Sequence, residues 1–240
     1  ESLEQRSYFI DRIRVALTAL VIAHHSAITY GASGGWFYRE TQTSDSVVSL
    51  AMTMFCAVNQ SFFMGMFFLI AGYYTPPSLA RKGPAKFVTD RLLRLGIPWL
   101  VFGFVLGPMT VALAGIASGR DFWTTWTGLM MQGKFFSGPL WFAQALLMFA
   151  AVYVVLSPLL RRVPERSERP LPAGRWWLLA ALLVGLIALL LRQWVPVGSE
   201  AWGLQVGYFS SYVFLFALGC AASRPRWLER ITAAVAKPWL

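Results

Sequence analysis

Six long apolar stretches dominate this chain and limit what it can fold into. They lie at about residues 15–30, 47–74, 95–117, 139–160, 176–194 and 204–222. A helix crosses a bilayer with ~20 mainly apolar residues, so these runs read as membrane spans. Composition agrees, because 57% of the 240 residues are hydrophobic and only 13% charged. Soluble domains run nearer half and a quarter, and disorder needs low hydrophobicity and high charge. The expected fold is all-α, a polytopic membrane helical bundle of about six to seven transmembrane helices, with a further segment beginning near Trp227. Residues 1–240 read as a single membrane-embedded domain, truncated at its C-terminus, and the opening Glu1 suggests a processed or excised segment. The first apolar run is followed by more spans and lacks a small-residue cleavage site, so it reads as a retained helix rather than a signal peptide.

The net charge of +10 does not point to nucleic acid, because the basic residues sit in the loops between apolar runs. Arg6, Arg12 and Arg14 precede the first run. Arg81, Lys82, Lys86, Arg91 and Arg94 follow the second, and Arg161, Arg162, Arg166, Arg169 and Arg175 follow the fourth. Arg224, Arg226, Arg230 and Lys237 follow the sixth. These seventeen fall on one side, whereas Arg39, Arg120, Lys134 and Arg192 fall on the other. The asymmetry follows the positive-inside rule and predicts a cytoplasmic N-terminus. The loops near residues 31–46, 118–138 and 195–203 then face outward. Trp36, Trp99, Trp176 and Trp194 fit interfacial belts.

The chemistry concentrates in the first span. Ionisable residues inside a span are costly and usually face a protein interior or a wet cavity. Eleven helical residues turn through about 1,100°, three turns plus about 20°, so Arg14 and His25 share a face about 16 Å apart. Asp11, Thr18 and Thr29 fall near the same stripe, and His24 is rotated about 100° from it. His25 is a candidate general base, with Arg14 holding Asp11 or an anion. The bland alternative makes His25 a bridge between helices and Arg14 a topological anchor. A metal or haem site is not expected, because the only two histidines are adjacent and diverge while metal ligands must converge. Cys56 and Cys220 lie inside apolar runs, which suggests neither a disulfide framework nor a zinc site.

Three further features carry weaker signals. Arg91 and Arg94, at i and i+3, share a helical face at the start of the third span. Guanidinium pairs suit phosphate, although any cytoplasmic loop collects arginines. The run from Phe62 to Tyr73 mixes small residues with aromatics, a pattern for close helix packing. Asn59 and Gln60 lie mid-span and must find partners. Trp123, Trp126, Phe135 and Phe136 occupy an outward loop, as an interfacial belt or as faces for sugar rings.

Together these pieces resemble the acyltransferase-3 family of integral membrane acyltransferases. The resemblance rests on residues 8–14 (YFIDRIR), Arg14 followed after ten residues by His25, residues 67–73 (FFLIAGY) and Arg91–Arg94 with residues 95–98 (LGIP). Residues 138–142 (GPLWF) and 212–219 (YVFLFALG) continue it along nearly the whole chain. It implies transfer of an acyl group, often acetyl, from a coenzyme A thioester to a hydroxyl of a carbohydrate or small hydroxylated acceptor. By matching position, His25 would be the catalytic histidine, as base or transient acyl carrier. Arg14 with Asp11 would be its motif partner, and Arg91 and Arg94 would face the phosphates of acyl-CoA. The implied setting is the lipid bilayer of a bacterial inner (cytoplasmic) membrane, crossed several times. The family usually has about ten spans, so this chain would hold only the first part. The residues alone also admit a proton-coupled transporter using His25 as a relay, or a non-catalytic membrane subunit.

Overall fold

The computed structural model describes residues 8–160, 170–232 and 236–237. Arg6, Arg161, Arg162, Arg166 and Arg169 lie outside the described residues. Among the described residues the chain is helical, without strands. The helices are α1 (Tyr8–Thr29), α2 (Val47–Lys82), α3 (Pro84–Ile116), α4 (Phe122–Met131), α5 (Trp141–Leu160), α6 (Gly174–Trp194) and α7 (Phe209–Ser223). Five of the segments are long and apolar enough to cross a membrane: α2, α3, α5 with its preceding turn, α6, and α7 with its preceding turn. Helix α1 has 22 residues, about 33 Å at 1.5 Å per residue. Asp11, Arg12 and Arg14 make its first turns more polar. The expected multi-pass helical membrane fold is therefore what the chain adopts.

The elements overrun the apolar runs that announce them. Pro76 and Pro77 do not end α2, which continues to Lys82. The expected basic loop at 81–94 is instead helix, broken only at Gly83, whose φ of 74° suits glycine. The prolines of α3 do not break it either. It widens into two π-turns, Leu92–Gly96 and Phe102–Leu106. A helical proline crowds the carbonyl four residues back. For Pro98 and Pro108 those carbonyls belong to Arg94 and Phe104, each inside a widened turn. Helix α4 occupies part of the stretch 118–138. It starts where the Asp121 carboxylate accepts a hydrogen bond from the Thr124 N–H at 2.8 Å. That bond holds the Asp121 carboxyl below its ordinary value. The segment near Trp227 forms one short turn, Trp227–Arg230.

The chain divides into two compact units, with α2 and α3 contributing to both. One comprises residues 1–67 and 104–135. In it α1 packs on the first half of α2 around Ile28, Ala32 and Cys56, and Trp126 of α4 donates to the Val105 carbonyl at 3.2 Å.

The other unit comprises residues 68–103 and 136–240. Phe68 is fully buried there among Trp141, Phe142, Phe149 and Tyr212. Helices α2 and α7 approach closely at two glycines. A Cβ on Gly72 would lie 2.2 Å from the Phe216 carbonyl oxygen, and one on Gly219 would lie 2.1 Å from that of Leu69. Small residues let membrane helices touch through backbone. Helix α6 has no buried residue. Near its C-terminal end Arg192 donates to the Gly207 carbonyl at 3.2 Å and lies over the Tyr208 ring, and near its start Trp177 meets the Trp227 ring edge to face.

Both glycines lack room for a methyl group. Gly219→Ala or Gly72→Ala should destabilise this unit by about 1–3 kcal/mol, as overpacking does. Thermal unfolding in detergent would show a lowered midpoint for each, and an unchanged midpoint would contradict the close approach.

Candidate functional site

The polar stripe of α1 is present, and its members bond largely to their own helix. Asp11 and Arg14 form an i,i+3 ion pair at 3.4 Å, about two-fifths exposed on the arginine side. The Thr18 hydroxyl donates to the Arg14 carbonyl at 2.8 Å, and that of Thr29 to the His25 carbonyl at 3.0 Å.

His25 is half-buried, and its Nδ1 lies 2.8 Å from the Val21 carbonyl oxygen. A carbonyl only accepts, so Nδ1 must carry the hydrogen. In the neutral ring this puts the basic lone pair on Nε2. Trp36 covers the same imidazole, with ring centroids 3.9 Å apart. One hydrogen bond and one close, tilted ring contact therefore fix the tautomer and the orientation of His25.

Trp36 reaches His25 because residues 31–46 fold into a knot. Arg39 donates to the carbonyls of Ala32 at 2.8 Å and Gly34 at 2.9 Å, and to the Thr43 hydroxyl at 2.6 Å. The Ser49 hydroxyl donates to Gly31 O at 2.6 Å, and the Ser33 N–H to the Thr53 hydroxyl at 3.0 Å. The Glu40 N–H donates to the Thr29 carbonyl at 2.9 Å. Tyr38 also donates to the Glu40 carboxylate. Sequence reasoning gave Arg39 only a topological weight and Trp36 only an interfacial one. A lone arginine amid Gly, Ser and Thr residues was the available signal.

His24 is the second residue whose place the stripe argument undervalued. The buried residues of α1 are Ile10, Leu17, His24 and Ile28. Seven-residue spacing from Ile10 through Leu17 to His24 puts the imidazole on the apolar seam. There it stacks on Phe63 at 5.1 Å, lies 5.4 Å from the His25 ring, and takes a contact from the Cys56 thiol to its carbonyl. Asn59 is 3% exposed on the facing stretch of α2.

Arg91 and Arg94 belong to the other unit. Arg91 is partly buried with its guanidinium over the Phe87 ring at 5.1 Å, and Arg94 is exposed within the first π-turn of α3. Beside them Lys82 pairs with Asp90 at 2.5 Å. Among the described residues no group of three or more His, Cys, Asp or Glu side chains gathers to hold a metal ion.

Five helices long and apolar enough to cross a membrane, preceded by a helix that carries a half-buried histidine, define a multi-pass membrane protein. The family model described as an acyltransferase domain matches residues 7–240, and the chain belongs to the acyltransferase-3 family. It is 29% identical over 171 residues to glucans biosynthesis protein C of Shigella dysenteriae serotype 1 (strain Sd197), covering 69% of this chain and 42% of that protein. The protein of that name from Escherichia coli (strain K12) is 28% identical over 172 residues, with the same coverage. The chain thus spans about two-fifths of the length of these curated relatives. No solved structure matches.

Hydrogen bonds from a charged donor contribute about 1.5–3 kcal/mol each. Arg39→Ala should therefore speed amide hydrogen exchange across residues 31–46 by about 10- to 100-fold. Exchange in the α2 stretch 56–67 should stay as in wild type. Equal exchange in the loop would show that Arg39 does not hold it.

Proposed function

We propose that this protein takes part in O-acyl transfer within the membrane. It moves an acyl group, acetyl in the simplest case, from acyl-CoA to a hydroxyl of a carbohydrate acceptor. The observation that carries the reading is the His25 tautomer: Nδ1 is engaged by Val21 O at 2.8 Å, leaving Nε2 as a proton acceptor. In the reaction, Nε2 takes the proton of the acceptor hydroxyl as its oxygen attacks the thioester carbon. The new C–O bond forms, the C–S bond breaks, and the proton passes to the departing thiolate as free coenzyme A. Positioned general bases contribute about 10²–10⁴-fold.

Arg14, steadied by Asp11, acts at the mouth of the same helix. Arg91 and Arg94 bind the phosphates of the donor, a task suited to guanidinium groups. The basic asymmetry of the loops supports a cytoplasmic N-terminus, on the side where acyl-CoA is found, and membership of the family supports a bacterial inner membrane. The relatives' name supports a glucan as the acceptor.

The test is thiol release from acetyl-CoA in membrane vesicles, with and without added glucan, using the longest natural form of the chain. His25→Ala should lower the rate at least about 100-fold with little change in the amount of folded protein. Full activity in that variant would refute the proposed role of His25. Replacing both Arg91 and Arg94 by Gln should raise the KM for acetyl-CoA more than it lowers kcat, since it removes binding common to ground and transition states.

A further inference from the structure

The seam between α1 and α2 holds two side-chain nitrogens that nothing in the described residues satisfies. His24 is 8% exposed and Asn59 is 3% exposed. His24 Nδ1 and Asn59 Nδ2 are both buried without a hydrogen-bond partner. They belong to one place. On a helix, residues i, i+3, i+4 and i+7 bound the hole that a facing side chain enters. His24 touches Cys56 with its carbonyl and Phe63 with its ring, the i and i+7 members of such a hole. Asn59 is the i+3 member. A buried polar group left unpaired destabilises a fold, and an apolar side chain of like size there is neutral or stabilising. Ser49, Cys56 and Phe63, buried at seven-residue spacing on the first half of α2, otherwise make an ordinary seam. Two unsatisfied nitrogens in that seam, with the His24 ring 5.4 Å from the His25 ring, point to a ligand atom between them.

We propose that His24 and Asn59 form a binding site for the acyl carbonyl oxygen of the donor, beside the His25 base. This rests on the acyl-transfer reading above. The Asn59 amide nitrogen can only donate, and neutral His24 can donate from Nδ1. Both therefore suit a carbonyl oxygen that gains negative charge as the hydroxyl adds to the thioester carbon. When the C–S bond breaks, the oxygen's electron pair re-forms the C=O bond, the charge leaves on the thiolate, which takes the proton from His25, and the acyl ester departs. The two donors hold the oxygen throughout, and the proton travels by way of His25.

The experiment compares wild type, Asn59→Leu, His24→Phe and His25→Ala in the longest natural form of the chain. It measures kcat and KM with acetyl-CoA, and the thermal midpoint in detergent. Loss of one donor to a developing oxyanion costs about 10²–10³-fold in kcat. Asn59→Leu and His24→Phe should each show such a fall, with KM for acetyl-CoA nearly unchanged and a midpoint equal to or above wild type. A lowered midpoint accompanying the lost turnover would overturn the site, because the two groups would then be structural. Turnover that needs His25 but survives both seam substitutions would overturn it alone, leaving a buried water as the occupant. Turnover that survives His25→Ala would overturn the acyl-transfer reading and this site with it.

Discussion

In hydrocarbon a backbone carbonyl without a donor costs several kcal/mol, and that constraint shapes both the helices and the site. Where prolines remove donors, α3 widens into π-turns around the affected carbonyls. Thr18, Thr29, Thr75, Thr110 and Thr127 each turn a hydroxyl back onto the carbonyl four residues earlier. His25 makes the same move with its ring, donating from Nδ1 to Val21 O. The bond that satisfies polar side chains elsewhere here also sets a tautomer. The helix itself serves as the orienting partner of the imidazole, a task that a second side chain often performs.

This explains why the stripe was legible in the sequence while the finished site was not. Period alone put Asp11, Arg14, Thr18, His25 and Thr29 on one face, and the structure keeps them there. The six apolar runs likewise located the long helices, because length and hydropathy decide a span. Helix ends were less readable. Proline and basic residues normally mark a boundary in water, whereas α2 runs through Pro76 and Pro77 to Lys82. The turn falls at Gly83, where positive φ is available.

Loop geometry was the least legible part. Nothing in the periodicity of residues 31–46 says that Arg39 will find three acceptors within that segment and set Trp36 against His25. Those bonds depend on carbonyls turned inward by Gly31 and Gly34, both at positive φ. Such information lies in conformation rather than in residue type. Helix α4 was hidden for a related reason. Its 10 residues are too few to span, and its start depends on the single capping contact from Asp121.

His24 and Asn59 show where consistency between pattern and chemistry fails. Ile10 and Leu17 on one helix, and Cys56 and Phe63 on the other, are the apolar residues that a seam selects. A histidine and an asparagine at matching positions break that rule, and neither gains an internal bond at the atoms in question. In a well-packed helix pair, local violations of this kind concentrate at working sites, because selection for stability alone would remove them. The adjacent His25 has its other nitrogen and one ring face already engaged. A base in the role proposed for His25 gains from a reaction partner held equally firmly, since orientation gains nothing if only one reactant is fixed. The unsatisfied seam lies in the same unit, with the His24 ring 5.4 Å from that of His25, and can supply that second constraint.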